Sequence, residues 1–267
     1  MKTEVQLTGS LRLVYLTIIL LVLSASCAPA SVHLPAAAPE PAAKPRELVV
    51  LVHGMGRSSL SMVPLSWTLR RAGYDVLNWG YSSTCCGISE LGSQLQHDLH
   101  EYAGPGAARV HFVGHSLGNI IIRWVLANED SSNFAGRVVM LAPPNQGSRV
   151  ADRYTTSLGW LLKPLPELRS DAMRSSTSFM LPYAVDVGII AGRYDGKVAV
   201  EETRLEGMDA HVVVSAAHPF LMLRSDVHQL VLDFIRDGEF YISRQIGLSA
   251  RYAGDPSDSV ILDPDFP

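Results

Sequence analysis

From residue 47 onward the chain alternates between short, continuous apolar runs and longer stretches whose apolar positions recur every three or four residues. The short runs are "ELVVLVH" (47–53), "YDVLNWGYSS" (74–83), "RVHFV" (109–113), "GRVVMLAPP" (136–144), "AVDVGIIAG" (184–192) and "AHVVVSA" (210–216). Successive side chains of a strand point to opposite faces, so a run apolar at consecutive positions needs cover on both faces. The helix-period stretches between the runs supply that cover. Residues 61–73 place Met62, Leu65 and Leu69 on one face and end in Gly73. Further helices are expected over 88–102, over 119–126 with Arg123 and Asn128 on the outer side, and over 221–236. The pattern predicts an α/β architecture, a mostly parallel sheet of about six strands flanked by helices.

One interval breaks the rhythm. Residues 147–183 hold no strand pattern but carry "SLGWLLKPLPEL", in which Pro164 and Pro166 forbid a long helix. An insertion of this length in a compact domain is usually functional, so a short cap is expected there. The domain then runs over 47–240, and the mixed, polar tail 241–267 has no functional reading.

The first 46 residues differ in character. Lys2 and Arg12 precede an apolar run over 13–23, followed by small residues, which is the order of a secretory signal over 1–26. Cys27 after "SAS" resembles a bacterial lipobox with Ser24 in place of the usual Leu, making Cys27 the expected lipidation site and membrane attachment point. Cleavage after "APA" (28–30), giving a soluble secreted protein, and an uncleaved anchor are the alternatives. The Ala- and Pro-rich stretch 27–46 reads as a disordered tether. Export to a bacterial cell envelope follows as the expectation, with secretion as the alternative. The formal net charge of −4, without a basic block, argues against a nucleic-acid partner. With three cysteines there is no disulfide framework. The adjacent pair Cys85 and Cys86 reads first as two small loop residues, and second as a strained redox pair.

Chemistry concentrates in "GHSLG" (114–118), a G-x-S-x-G pattern between a strand and a helix. Ser116 would sit on the tight turn, with Gly114 and Gly118 required because strand and helix approach closely there. A serine hydroxyl needs a base, and the base needs an orienting group. In a parallel α/β sheet these belong on loops at the C-terminal strand ends. Asp195, just past the fifth strand, meets that requirement, although an Asp-Gly turn alone could place it there. Asp186 and Asp209 precede strands, at the wrong ends. His218, following the sixth strand, is the expected base; His211 starts that strand, and His97, His100 and His228 lie on helices. "HGMG" after the first strand offers the N–H of Met55 to a developing oxyanion, and the N–H of Leu117 would be the second donor.

These segments resemble the α/β-hydrolase superfamily, within its bacterial lipase- and esterase-like branch. "VLVHGMGRSSLSM", "VGHSLG", "LAPPNQGS", "AGRYDGKVAVE" and "AAHPFLM" carry the resemblance, which extends over about 47–240. It implies the α/β-hydrolase fold, a Ser116–His218–Asp195 triad, an oxyanion hole at Met55 and Leu117, and neither metal nor cofactor. His115 is expected to support the elbow. The branch usually has an aromatic-Pro-Ser tripeptide after the second strand, where this chain has "YSS" (81–83). The resulting expectation is a serine hydrolase acting on a small-molecule or lipid carboxylic ester through an acyl-enzyme. Leu158, Trp160, Leu161, Leu162 and Leu165 would either meet the acyl chain or pack the cap. Thioester or amide cleavage by the same groups, a non-catalytic scaffold binding a ligand or partner, and a redox protein using Cys85 and Cys86 are the competing readings.

Overall fold

The computed structural model describes residues 46–103, 107–128, 136–176, 179–181, 185–241 and 260–262. The expected signal, the lipidation site and the tether up to residue 45 therefore lie outside the described residues, as does most of the tail; Arg46, expected as the last tether residue, instead opens the first strand. Seven parallel strands form one sheet: β1 (Arg46–Val52), β2 (Asp75–Trp79), β3 (Ala107–His115), β4 (Val138–Leu141), β5 (Val187–Gly192), β6 (Ala210–Val214) and β7 (Val260–Leu262). Their order is β2-β1-β3-β4-β5-β6-β7. Six coincide with the apolar runs. The seventh comes from the tail, pairing Val212 with Val260 and Val214 with Leu262 at the sheet edge.

The sheet is covered on both faces, as the unbroken apolar runs require. Val50 and Val52 face one core layer with Phe112, Ile120 and Leu95. It is closed by α2 (Ile88–Ala103) and α3 (Leu117–Asn128). Val49 and Leu51 face the other layer with Leu65, Leu69 and Phe234. That side is closed by α1 (Val63–Arg71), α6 (Ser225–Asp237) and the residues between them in space. Each of these side chains is at most 1% exposed, and full burial of one such side chain stabilises by about 1.5–3 kcal/mol. The remaining helices, α4 (Arg149–Leu158) and α5 (Ser170–Ser175), lie within the strandless segment, separated by a 3-10 turn at Leu165–Leu168. Pro164 caps that turn and Pro166 lies inside it, so the chain bends where the two prolines rule out a continuous helix. Among the described residues, no helix is long and apolar enough to cross a membrane.

One expectation fails within this frame. Arg123 on α3 does not face outward; it is 6% exposed. Its guanidinium donates to Phe179 O at 2.8 Å and to Asn145 Oδ1 at 3.2 Å. The periodic pattern places Arg123 opposite the sheet-facing side chains, but the chain after β4 returns over that face and covers it. Burial pushes its pKa down to about 10.

The strand order also determines where a site can form. The chain leaves β1 toward β2 on one side, then returns to β3 on the other. At such a switch point the loops after β1 and β3 diverge, leaving a crevice outside their carboxyl ends.

Candidate active site

Ser116 stands at that crevice. It is the residue after β3, and its backbone adopts φ +53°, in the left-handed region. For a non-glycine residue that conformation costs on the order of 1–3 kcal/mol, so surrounding contacts must hold it. The Ser116 N–H donates to Leu141 O at 2.9 Å. Asn119 Nδ2 donates to both Ser116 O at 3.2 Å and Leu141 O at 3.0 Å. A side chain one turn into α3 thus ties the elbow to β4. The two glycines answer to close approach: a Cβ on Gly114 would fall 2.3 Å from Asn119 Oδ1, and one on Gly118 2.2 Å from Val52 O.

Asp195 and His218, 23 positions apart in the chain, meet over the ends of β5 and β6. His218 Nδ1 lies 2.6 Å from Asp195 Oδ2, with side-chain exposures of 7% and 0%. The other carboxylate oxygen of Asp195 accepts from the N–H groups of Lys197 and Val198 at 2.8 and 2.9 Å. These three bonds leave the carboxylate one orientation, and its acceptor role requires the proton on His218 Nδ1. The alternatives are placed otherwise. Asp209 accepts from Val187 N at the opposite end of the sheet, and Asp186 pairs with Arg137. His211 meets Thr203 Oγ1 and His228 meets Thr68 Oγ1.

His115 lies beneath this pair. Its Nε2 donates to His218 O at 3.1 Å, and the two rings are 4.7 Å apart. Burial, and then the positive charge His218 can carry, hold its pKa well below the ordinary histidine value. His115 is therefore a neutral strut under His218, whereas the sequence reading placed it as support for the elbow.

The loop after β1 is braced from a direction the sequence does not reveal. Tyr81 stacks between His53 and Trp79, with ring centroids 4.2 and 4.4 Å away, and its hydroxyl donates to His53 O at 2.6 Å. Ser83 Oγ accepts from Gly56 N at 2.9 Å. The "YSS" segment, which departs from the branch pattern, thereby fixes the backbone on either side of Met55. Leu117 is the first residue of α3, so its N–H has no acceptor within the helix. In the same loop the structure overturns the first reading of Cys85 and Cys86, which are joined by a disulfide with Cα atoms 3.8 Å apart. In the turn that precedes it, Cys85 N–H donates to Ser82 O.

A cavity of about 300 Å³ opens beside Ser116, within the range of small-molecule sites. Ser116, His115, His218 and Met55 line it, together with Leu158, Leu162, Leu165 and Leu168. Of the five apolar residues read as meeting an acyl chain or packing the cap, Leu158, Leu162 and Leu165 line the cavity. Trp160 and Leu161 do not; they are 72% and 54% exposed. The turn after α4 places alternate faces inside and outside, which a list of apolar residues cannot show. Asn119, Tyr81, Ser83, Arg57 and Lys197 were also missed by the sequence reading. Only "YSS" carried a signal, as the departure from pattern.

The family model described as "Putative serine esterase (DUF676)" matches residues 42–145, which includes β1, Met55 and the elbow. No curated protein sequence matches the chain. Among solved structures, a Bacillus licheniformis lipase in its mature form has TM-score 0.50 and 19% identity, over 66% of this chain and 85% of its own. A metagenomic carboxyl esterase has TM-score 0.53 and 17% identity, over 69% and 68%. A type II thioesterase from the borrelidin biosynthetic cluster has TM-score 0.52 and 18% identity, over 74% and 94%. Strand order, the switch-point crevice and these likenesses agree: the chain has the α/β-hydrolase fold.

Proposed function

We propose that this chain is a serine hydrolase that cleaves carboxylic esters through an acyl-enzyme. The observation that carries the proposal is the buried Asp195–His218 bond of 2.6 Å, at the wall of the cavity into which Ser116 opens. With Nδ1 protonated toward Asp195, His218 presents Nε2 as the base. Ser116 Oγ bonds to the ester carbon as its proton passes to Nε2. The carbon–alkoxy bond then breaks, and the same proton leaves with the alcohol. Water repeats the sequence and releases the acid, returning the proton to Ser116. The N–H groups of Met55 and Leu117 receive the oxyanion, a service worth about 10²–10³ in rate per donor in comparable sites. The four leucines of the segment after β4 take the acyl chain, so that segment acts as a cap. Thioester cleavage needs no further group.

The test is intact mass after exposure to a fluorophosphonate, which loses fluoride as Ser116 Oγ bonds to phosphorus. One adduct is expected on the wild type and none on Ser116→Ala. Folded wild-type protein that takes no adduct would sink the reading and favour a non-catalytic scaffold.

A further inference from the structure

The cavity beside Ser116 is chemically lopsided. Its lining combines four leucines with Arg57 and Lys197, and no carboxylate lines it among the described residues. This inverts the balance of a chain with 26 acidic and 22 basic residues. Six arginines elsewhere, Arg109, Arg137, Arg149, Arg169, Arg224 and Arg236, each close on a carboxylate within 4 Å, while Arg70 and Arg123 are held by backbone carbonyls. Arg57 and Lys197 have no such partner among the described residues. Both stand near enough to His115 to push its pKa further down, so their charge reaches the catalytic floor.

Their positions in the chain are also telling. Arg57 follows Met55 by two residues, in the loop braced by Ser83. Lys197 follows Asp195 by two residues, and its own N–H holds the Asp195 carboxylate. Each cation is therefore anchored by the backbone that builds the site, while its side chain remains exposed. Beyond Lys197 the cavity adjoins a wider polar groove that shares Val150 and Tyr154 with it and adds Arg149 and Arg153. Of the charges added there, Arg149 is paired with Glu202 and Asp195 with His218, while Asp152, bonded to Ser170, keeps its charge. Unneutralised cations next to a reaction centre concentrate anions and orient them there.

We propose that the ester cleaved here is anionic: an apolar acyl chain against the cap leucines and, on the alcohol side of the scissile bond, a phosphate or carboxylate held by Arg57 and Lys197. This deepens the esterase reading and rests on it. The alcohol side follows from the esterase reading, in which the leucines take the acyl chain and the two cations are left for the departing group. The bond that breaks is the ester carbon–oxygen bond already described. The anion keeps its charge throughout and leaves with the alcohol.

The test uses two esters of one acyl chain on the full-length protein: p-nitrophenyl octanoate, which is neutral, and 4-nitro-3-(octanoyloxy)benzoate, whose leaving group carries a carboxylate. The readout is the ratio of their kcat/KM values, which cancels differences in folding and in general activity. The Arg57→Met, Lys197→Met double variant is expected to lower the anionic-to-neutral ratio by about tenfold, since an exposed pair contributes up to about fivefold. The charge-retaining Arg57→Lys variant should keep the wild-type ratio. About 1 M salt, where charges are screened beyond about 3 Å, should lower the ratio for the wild type and leave the double variant unmoved. A ratio unchanged within twofold in the double variant, with both esters still hydrolysed, would overturn the proposal and spare the esterase reading. Loss of both esters on the wild type would overturn the two together.

Discussion

Gly118 is where the fold and the proposed chemistry are most tightly coupled. An added Cβ would lie 2.2 Å from Val52 O and 2.8 Å from His53 O. Both are backbone atoms, one closing β1 and the other beginning the loop that carries Met55, so neither can rotate away. To reach ordinary contact, the first turn of α3 must retreat by about 1 Å, given that non-bonded atoms settle near 3.5 Å. That retreat separates Leu117 from Met55, the two amides assigned to the oxyanion, and drags the elbow with it. Overpacking of this kind destabilises by about 1–3 kcal/mol, and a 1 Å misplacement of reacting groups costs about 10²-fold in rate. Gly118→Ala is therefore expected to unfold at lower urea with an unchanged m-value, and to react with a fluorophosphonate about 10²-fold more slowly. Gly196→Ala is the matched control: it adjoins Asp195 in sequence, but its Cβ would meet nothing within 4 Å. It should stay within about 0.5 kcal/mol of the wild type. If Gly118→Ala matched Gly196→Ala in both measurements, the claim that close approach governs the elbow would fail.

The other outcomes concern the acid and the pH response. Asp195→Asn should lower the fluorophosphonate labelling rate by about 10³–10⁴, the scale for losing the orienting acid. Asp209→Asn should leave labelling nearly intact and cost stability, because its carboxylate accepts from Val187 N at the far end of the sheet; the reverse pattern would reassign the acid. Burial lowers the pKa of both His111 and His211 to about 4. The folded state keeps them neutral while the unfolded chain protonates near 6.5, so their contribution is full above 6.5 and lost as pH falls toward 4. Each is worth roughly 3 kcal/mol across that window. Urea unfolding at pH 7, 6 and 5 should show stability falling, with a slope of at least two protons at the acid end, since His115 is held neutral as well. A flat profile would refute the assignment.

The six apolar runs were legible because a strand covered on both faces must be apolar at consecutive positions, whatever surrounds it. The glycines of "GHSLG" were legible for a similar local reason, since a strand that turns at once into a helix leaves no room for a Cβ. The chain order of Ser116, Asp195 and His218, and their place after β3, β5 and β6, also lay in the sequence, because parallel connections bring every such loop to one end of the sheet.

What lay beyond the sequence depends on which surfaces meet. Arg123 read as solvent-facing from its helix position, and only the return of the chain after β4 buries it against Asn145 and Phe179. β7 is too short and isolated for its pattern to announce a strand, and it exists because β6 offers an open edge. Trp160 and Leu161 are as apolar as Leu162, yet the turn after α4 sends them outward. Tyr81, Ser83 and Asn119 brace the site through bonds to backbone atoms distant in the chain or across an element, for which sequence carries no periodic trace. Arg57 and Lys197 are unremarkable charges in the sequence, 140 positions apart. Their joint presence at one cavity, without a carboxylate among the described residues, follows from the switch point that opens the crevice and from the loops that converge on it. Periodicity records what each segment buries; the charge and shape of a site arise where segments meet, and that was decided by the tertiary structure.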